Sequence, residues 1–302
     1  MKPFIIGTRD SELALWQAKT VQQELKQNGI ESVLYPVKSS GDLNLDVPLY
    51  EMGITGIFTK TLDVALIKGK IDLAVHSMKD VPTQLPKTIV KGAVLKRANP
   101  YDVMVHKGLD FLNLKKAHIA TGSLRRKAQW LNRFPEHQVS NLRGNVNTRL
   151  KKLESNNWNA AIFAAAGLER INITPQNTQT LDWMIPAPAQ GAMLVVTRED
   201  NNHVIEGLKP LNHKETEICV EVERSFLRTL EGGCSAPIGA LATIEDDRLY
   251  FEGILLSLDG KDTFKVKKNT SIDNHKDFGK YCAEVILRKG GYKLMEEIRR
   301  IL

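Results

Sequence analysis

The sequence predicts an α/β protein with a small α+β domain at its carboxyl end. Its 302 residues are enough for two or three domains. Over the first part of the chain, short apolar stretches alternate with stretches of helical periodicity, which is the pattern of βαβ units. The last part places three strand-like stretches between two helical ones. That order predicts a three-stranded antiparallel sheet with helices on one face.

Each strand predicted in the first part runs into a helix or a polar turn. Residues 3–7 form the first strand, and Asp10 or Ser11 caps the helix that follows. Four further strands, at residues 71–76, 117–121, 137–141 and 159–167, run into SMKDVP, GSLRRKAQWLNRF, LRGNVNTRLKKLES and LERI. In the last part a helix at 215–230 precedes strands at 237–244, 249–258 and 263–269, and residues 276–290 form a closing helix.

Basic and hydroxyl side chains recur where these strands end. Ligands of open α/β sheets lie beyond the carboxyl ends of the strands, and helix N-termini attract anions. One arginine at such a place is usually a solvated surface residue, and Arg126 and Lys127 alone fit the exposed face of a helix. Their recurrence favours a single anion-binding cleft. The residues that would line it are Arg9, Ser11, Ser77, Lys79, Thr121, Ser123, Arg125, Arg126, Arg143, Arg149 and Arg170.

The net charge of +7 favours an anionic partner. Arginine binds carboxylate or phosphate through two parallel hydrogen bonds, so the cluster predicts a small ligand with several acidic groups. Nucleic acid is disfavoured, because only 6% of the residues are aromatic and no basic loop carries a stacking pair. No nucleotide-binding glycine loop is present. An enzyme and a non-catalytic binding protein for an acidic small molecule both fit these residues.

The cysteine content and the absence of long apolar segments predict a cytoplasmic protein without a membrane partner. No stretch approaches the roughly 18 apolar residues of a membrane span, and the N-terminus does not resemble a signal peptide. Three cysteines without metal-ligand spacing argue against a disulfide framework and against a metal site. Cys219 and Cys282 lie in helical patterns, which predicts core packing. Cys234 lies in the turn LEGGCSAPIG, where it could be a nucleophile, a metal ligand, an attachment point or none of these.

Asp80 is an acid among basic loops. It follows the apolar strand of AVHSMKDVP, next to Lys79 and Ser77. A carboxylate there could stabilise a developing positive charge or move a proton. It could equally cap a helix or pair with Lys79 or an arginine. His76 ends the strand, and we expect a packed, hydrogen-bonded histidine there.

Seven motifs occur in one order along nearly the whole chain: GTRDSELALWQA, AVHSMKDVP, TGSLRRKAQ, NLRGNVNTRL, AAAGLERI, PAPAQGA and LEGGCSAPIG. Together they resemble the hydroxymethylbilane synthase family, also called porphobilinogen deaminases. The resemblance implies a transferase of porphyrin and heme biosynthesis. Such an enzyme joins four porphobilinogen units head to tail with loss of ammonia and releases 1-hydroxymethylbilane. It also implies a covalent dipyrromethane cofactor, made from two substrate units, and a monomer.

The resemblance assigns roles residue by residue. Asp80 matches the catalytic aspartate, and Cys234 matches the cysteine that holds the cofactor by a thioether. The implied cofactor-binding residues are Ser77, Lys79, Asp80, Thr121, Ser123, Arg125, Arg126 and Arg143. The implied substrate-binding residues are Arg9, Ser11, Arg143, Arg149, Arg170 and Gln190. Because each pyrrole unit carries an acetate and a propionate, the growing chain is a polycarboxylate, which accounts for the arginines.

The family fold implies two α/β domains that face a cleft, as in periplasmic binding proteins, and a third, α+β domain. The chain is expected to cross between the first two domains near residues 96–102 and again near 186–192. We therefore predict domain 1 at 1–97 and 192–211, domain 2 at 98–191 and domain 3 at 212–302.

A few positions depart from the family pattern. Glu51 and Thr55 stand where a loop that can cover the site commonly has lysines, and Ile54 replaces a glycine there. Asn147 stands where glycine is common, and we expect it to adopt a left-handed conformation. Asn159 replaces an aspartate that usually precedes the strand, a change that the sequence alone does not explain.

Overall fold

This computed structural model describes residues 2–37, 59–230 and 236–302. The strands in these segments are β1 Phe4–Arg9, β2 Ser32–Val37, β3 Leu73–Ser77, β4 Ile89–Val94, β5 Asp102–His106, β6 His118–Ala120, β7 Gln138–Ser140, β8 Ala160–Ala164, β9 Thr178–Thr180, β10 Met193–Arg198, β11 Ile238–Glu245, β12 Arg248–Leu256 and β13 Thr263–Ser271. The helices are α1 Glu12–Gln27, α2 Lys60–Ile67, α3 Leu124–Arg133, α4 Val146–Ser155, α5 Ala165–Glu169, α6 Asn202–Leu208, α7 Lys214–Thr229, α8 Phe278–Ile286 and α9 Tyr292–Ile301.

The first sheet has the order β2-β1-β3-β10-β4. Its strands β2, β1 and β3 are parallel, and β10 runs antiparallel between β3 and β4. Helices α1 and α6 pack on one face, and α2 packs on the other. Because both faces are covered, β3 is buried along nearly its whole length, and its first three residues are apolar. The parallel strands β1 and β3 end at the same edge, at Arg9 and Ser77.

The second sheet has the order β7-β6-β8-β5-β9. Strands β7, β6 and β8 are parallel, whereas β5 is antiparallel to both of its neighbours. Helices α4 and α5 contribute to the core on one face, and Trp130 of α3 is buried in the core on the other. The carboxyl ends of β6 and β7 lead into the loops before α3 and α4. These loops and the helices that follow them carry most of the predicted arginines.

The third sheet is the antiparallel meander β11-β12-β13. Helices α7, α8 and α9 share one hydrophobic core with it, in which the Phe226 and Phe251 rings lie 5.0 Å apart. The predicted fold class is therefore confirmed: two α/β sheets and a small α+β unit. Cys219 and Cys282 are buried in this third core, as predicted.

Local signals predicted eight of the thirteen described strands and six of the nine described helices; the strands β2, β4, β5, β9 and β10 and the helices α2, α6 and α9 were not predicted. Ser11 caps α1, since its Oγ accepts a hydrogen bond from the Ala14 N–H. Helix α5 begins at Ala165, before the predicted LERI. After the predicted closing helix the chain forms a further helix, α9, because Gly290 adopts a φ of 119° and lets the chain turn. Within the described segments, no helix is both long and apolar enough to cross a membrane.

The chain crosses from the first sheet to the second after β4 and returns before β10. Gly191, with a φ of 86°, lies in the return crossing, and a Cβ there would meet the Ala98 carbonyl oxygen of the outward crossing at 2.6 Å. Ala189 has a φ of 62° although it carries a side chain. The two crossings are therefore packed directly against each other. The domain boundaries inferred from sequence stay a prediction.

The buried carboxylate of Glu223, on α7, holds this junction together. It accepts hydrogen bonds from Arg97 at 2.5 and 3.1 Å, from the Ala189 N–H at 2.6 Å and from the Ala242 N–H at 2.8 Å. These donors belong to the outward crossing, the return crossing and strand β11. One side chain thus joins three parts of the chain, and its bond to Ala189 supports a strained backbone position.

We expect Glu223→Ala to lower the free energy of unfolding by about 3–5 kcal/mol, because Arg97 and two N–H groups lose their buried partner. Urea denaturation followed by circular dichroism would measure the change. Glu215→Ala, at an exposed position of the same helix, is the control and should stay within about 0.5 kcal/mol of the parent. Equal stability of the two variants would contradict the assigned role of Glu223.

Candidate active site

Asp80 lies on a tight turn at the carboxyl edge of the first sheet. A short 3-10 turn, Met78–Asp80, follows β3 directly. Met78 and Val81 are buried and anchor the turn on both sides, which leaves Asp80 half-buried. Together with Arg9, His76 and other residues, Asp80 lines a cavity of about 20 Å³, enough for one small polar group. The ends of β1 and β3 therefore place a carboxylate beside a guanidinium.

Two arginines at the start of α3 share one buried carboxylate. Asp102, the first residue of β5, is fully buried. Its Oδ2 lies 2.7 Å from Nη1 of Arg125, and its Oδ1 lies 2.7 Å from Nη2 of Arg126. Burial alone would raise the pKa of Asp102, but the charges of Arg125 and Arg126 outweigh it and hold the pKa well below its ordinary value. The solvated-helix interpretation of Arg126 is therefore wrong, because its side chain packs inside.

The arginine pair keeps an excess of positive charge. One carboxylate neutralises one of the two guanidinium groups, and Nε of Arg125 is buried without a hydrogen-bond partner among the described residues. Burial also lowers the pKa of Lys79, which Asp80 partly offsets, to about 8. Arg125, Arg126 and Asp102 contribute to this shift, so the Asp80 turn of the first sheet lies close to the arginine pair of the second.

Gln190 connects the two sets of charges. Its Nε2 donates to the Pro100 carbonyl at 2.7 Å and to Oδ1 of Asp102 at 2.9 Å, and its Oε1 accepts from Nζ of Lys79 at 3.2 Å. The side chain is fully buried in the return crossing. The amide oxygen and the amide nitrogen of Gln190 thus both have hydrogen-bond partners within the protein. The substrate contact implied for Gln190 stays a prediction.

The remaining arginines extend the cationic surface. Arg143 is buried in the loop before α4, and Nε of Arg149 donates to the Gly144 carbonyl at 2.7 Å. Burial, reinforced by the charge of Arg126, lowers the pKa of Arg149 to about 10 even though Asp80 opposes the shift. Arg149, Arg126 and Asp80 are therefore close neighbours.

Arg170 lies at the return crossing. Its guanidinium donates to the Gly191 carbonyl at 2.7 Å and stands 5.6 Å from the Trp16 ring centre, and its Nε is buried without a partner among the described residues. Burial lowers the pKa of Arg170 to about 10. A desolvated guanidinium with an unused donor is well suited to bind an anion.

The hydroxyl groups expected at the site already have protein partners. Ser11 and Ser123 cap α1 and α3, and Oγ of Ser77 accepts a hydrogen bond from Gln17 at 2.9 Å. Oγ1 of Thr121 accepts from the Ser123 N–H at 3.3 Å. In these bonds the hydroxyl oxygen is the acceptor, so each O–H can still donate to a carboxylate. Their ligand contacts stay predictions, as do the roles of Cys234, Glu51, Ile54 and Thr55, which lie outside the described residues.

Three expectations change. Asn147 lies in the first turn of α4 and is not left-handed; Gly144, with a φ of 116°, takes that conformation. Asn147 instead donates to Oε2 of Glu12 at 2.8 Å, which joins α4 to α1. Asn159 accepts the His118 N–H at 2.8 Å through Oδ1, a bond that an aspartate could equally make.

His76 is buried as expected, but its Nε2 lacks the expected hydrogen bond within the described residues. Burial, together with the charge of nearby Arg9, lowers the pKa of His76 to about 4.

Sequence reasoning missed three charged residues that organise the site: Asp102, Glu223 and Arg224. The signal for Asp102 was a carboxylate at the start of the apolar strand DVMVH, since a buried charge requires a partner. Glu223 and Arg224 lie side by side in the helical pattern of α7, where charged residues are ordinarily solvated. Nothing in their spacing distinguishes them from surface residues.

Two family models cover most of the chain. The model for the dipyromethane cofactor binding domain of porphobilinogen deaminase matches residues 4–206, and the model for the C-terminal domain of porphobilinogen deaminase matches residues 217–288. The chain belongs to the porphobilinogen deaminase family. The recognition from sequence motifs is thereby confirmed, and the matched domain makes dipyrromethane the cofactor of this family.

Relatives named porphobilinogen deaminase align over almost their whole length. The protein of Desulforamulus reducens is 42% identical over 301 residues, which covers 97% of each chain. That of Carboxydothermus hydrogenoformans is 43% identical over 305 residues, covering 99% of this chain and 98% of the relative. That of Geotalea uraniireducens is 41% identical over 303 residues, covering 99% and 95%.

The described residues fit the porphobilinogen deaminase cofactor. A dipyrromethane carries acidic side chains, so it requires more cations than carboxylates. In the described part of the cleft, Asp80 and Asp102 are accompanied by the larger set Arg9, Lys79, Arg125, Arg126, Arg143 and Arg149. The Nε of buried Arg125 adds a donor that has no acceptor among the described residues. Charge and hydrogen bonding both favour a polycarboxylate here.

We expect Lys79, in protein without ligand, to lose its proton near pH 8, because burial outweighs the attraction of Asp80. The folded pKa lies below the ordinary lysine value, so the ammonium is present below about pH 8 and is lost as the pH rises through it. Affinity for an acidic ligand should therefore fall above pH 8. NMR titration of labelled lysine side chains, with Lys79→Gln to assign the signal, would measure the midpoint. A midpoint above about pH 10 would contradict the effect of burial.

Proposed function

We propose that the protein is a hydroxymethylbilane synthase, a transferase that joins four porphobilinogen molecules head to tail with loss of ammonia. The observation that carries this proposal is one half-buried carboxylate, Asp80, among several desolvated cations in a chain of the porphobilinogen deaminase family. Binding a polycarboxylate explains the cations. In a binding site Asp80 would only offset the charges of Lys79 and Arg149 and oppose an anionic ligand, whereas a positive charge that develops on the substrate gives it a part in the reaction.

Four arginines and the hydroxyl of Ser11 bind and orient the acidic groups of the substrate. We assign this role to Arg9, Ser11, Arg143, Arg149 and Arg170. Arg149 and Arg170 are desolvated, so an ion pair with a carboxylate is stronger than it would be in water. Two parallel N–H donors fix the plane of each carboxylate and hence the direction of the pyrrole ring. Orientation of this kind brings the reacting carbon of the substrate to Asp80.

Asp80 acts where ammonia leaves the substrate. Departure of the amine leaves positive charge on the pyrrole ring and its methylene carbon. A carboxylate fixed beside the ring stabilises this charge. Only the protonated form of Asp80 can pass a proton to the leaving amine, which then departs as ammonia and leaves the carboxylate ionised. The turn between buried Met78 and Val81 holds Asp80 in place beforehand, so little reorganisation is needed during the reaction.

Cys234 is the proposed anchor of the dipyrromethane, through a thioether. When bound, the dipyrromethane supplies the free pyrrole carbon to which the first substrate unit is joined. The side chains that would hold its acidic groups and ring nitrogens are Ser77, Lys79, Asp80, Thr121, Ser123, Arg125, Arg126 and Arg143. We infer that Gln190 orients Lys79 and Asp102, in addition to any substrate contact, because its amide lies between them.

The alternative, a non-catalytic binding protein for an acidic small molecule, gives Asp80 only an electrostatic role beside Lys79 and Arg149, and the family membership does not support it. The cytoplasmic location, the monomeric state and the absence of a nucleic-acid partner stay predictions from the sequence.

The proposal predicts that the purified protein is heavier than its sequence by two pyrrole units. Cys234→Ser should abolish this adduct, because a hydroxyl is a far weaker nucleophile than a thiolate at neutral pH. Intact-mass spectrometry would measure both proteins, and Cys219→Ser, at a buried position of the third core, is the control that keeps the adduct. A wild-type protein that stays at its sequence mass after incubation with porphobilinogen would contradict the assignment.

Asp80→Asn should lower kcat by about 10²–10⁴-fold, because the amide has the same size but supplies neither charge nor proton transfer. Product formation from porphobilinogen would be measured, with rates corrected for the loaded fraction found by intact mass. Asp110→Asn, at an exposed position of the second α/β unit, removes the same charge and should leave kcat unchanged. An Asp80→Asn variant with the parent rate would support the binding-protein alternative instead.

A further inference from the structure

A buried arginine of the third domain holds the turn that carries Asp80. Arg224, on α7, is 8% exposed. Its Nη1 donates to the Val81 carbonyl at 2.9 Å and to the Met78 carbonyl at 3.3 Å, and its Nη2 donates to the Pro82 carbonyl at 2.6 Å. These carbonyls lie on both sides of Asp80 in the chain.

The turn depends on a donor from outside. Within it, the Val81 N–H donates to the Met78 carbonyl at 3.2 Å, and the Met78 N–H donates to the Ala192 carbonyl at 3.0 Å. Buried carbonyl oxygens require further donors, and a guanidinium supplies several in one rigid plane. Because this plane spans the turn, it fixes the main chain before and after Asp80 relative to α7. The direction of the carboxylate follows from that main chain.

The same helix supports the other parts of the site. Glu223, the neighbour of Arg224, binds both chain crossings, and α7 ends at Thr229, shortly before Cys234 in the sequence. The helix that leads toward the proposed anchor is therefore the helix that holds the Asp80 turn. Arg224 does not line the Asp80 cavity. It therefore acts on the position of Asp80 through the main chain of the turn and not through contact with the substrate.

We propose that Arg224 is a positioning residue for Asp80, which couples the direction of the catalytic carboxylate to the helix that bears the cofactor loop. This inference rests on the proposed function, because it assumes that Asp80 takes part in the reaction. It adds a third-domain residue to a site that the sequence placed entirely on the first two domains and on the Cys234 loop.

The test compares Arg224→Gln and Arg224→Lys with Arg248→Gln, which removes an exposed arginine from β12 of the same domain. Intact mass, kcat and KM for porphobilinogen are measured below the unfolding temperature of each variant. Arg224→Gln should keep the adduct and a KM within about threefold of the parent, while kcat falls at least about tenfold. Arg224→Lys should recover part of kcat, because an ammonium can still donate to one or two of the carbonyls. Arg248→Gln should match the parent.

A double-mutant cycle separates positioning from a general loss of structure. In an Asp80→Glu background the carboxylate is already displaced, so adding Arg224→Gln should lower kcat by much less than tenfold. Additive losses of kcat from Arg224→Gln and Asp80→Glu would overturn the inference. A kcat within about twofold of the parent for both Arg224→Gln and Arg224→Lys would overturn it as well. If Arg224→Gln does not fold, Arg224→Lys carries the same cycle. A parent protein without adduct or product would instead be a failure of the proposed function.

Discussion

The site depends on keeping more positive than negative charge out of water. Asp102 makes this possible for Arg125 and Arg126, because one fully buried carboxylate holds both guanidinium groups in place while cancelling only one charge. A guanidinium keeps its proton at neutral pH even when desolvated, so the uncancelled charge persists. Within the described residues the ion-pair network around Asp102 keeps one uncancelled charge, and we propose that carboxylates of a ligand bind there. Lys79, whose proton is held less firmly, is the part of this network that responds to pH.

Helix α7 binds both the chain crossings and the Asp80 turn and so holds them in place. Two consecutive residues of α7 bind opposite kinds of group. The Glu223 carboxylate accepts hydrogen bonds from the chain crossings, and the Arg224 guanidinium donates hydrogen bonds to carbonyl oxygens of the Asp80 turn. Because the backbone strain at Ala189 and the turn after β3 both depend on this helix, the α+β unit that contains α7 also supports the candidate site.

What the sequence predicted well was local. Short apolar stretches located eight of the thirteen described strands, Ser11 was a recognisable cap, and the two helical cysteines were correctly assigned to the core. The motifs also identified the family. What it missed depends on contacts between distant segments. Arg126 resembled a solvated residue until β5 brought Asp102 against it, and Asn147 looked like a turn residue although Gly144 supplies the turn. Adjacent charges on an amphipathic helix gave no sign that both are buried. Such pairs become visible only when the partner across the fold is known.

The position of β10 has a consequence for biosynthesis. This strand separates β3 from β4 in the first sheet, yet it is encoded after every strand of the second sheet. During translation, β1, β2 and β3 can pair with one another, but β4 lacks the strand that joins it to β3, while the second sheet can already form from a continuous stretch of chain. The nascent protein therefore exposes an unfilled, apolar gap until residue 198 has emerged. Topology thus sets the order in which the chain can complete its sheets: the second sheet first, the first sheet after it, and the third sheet last.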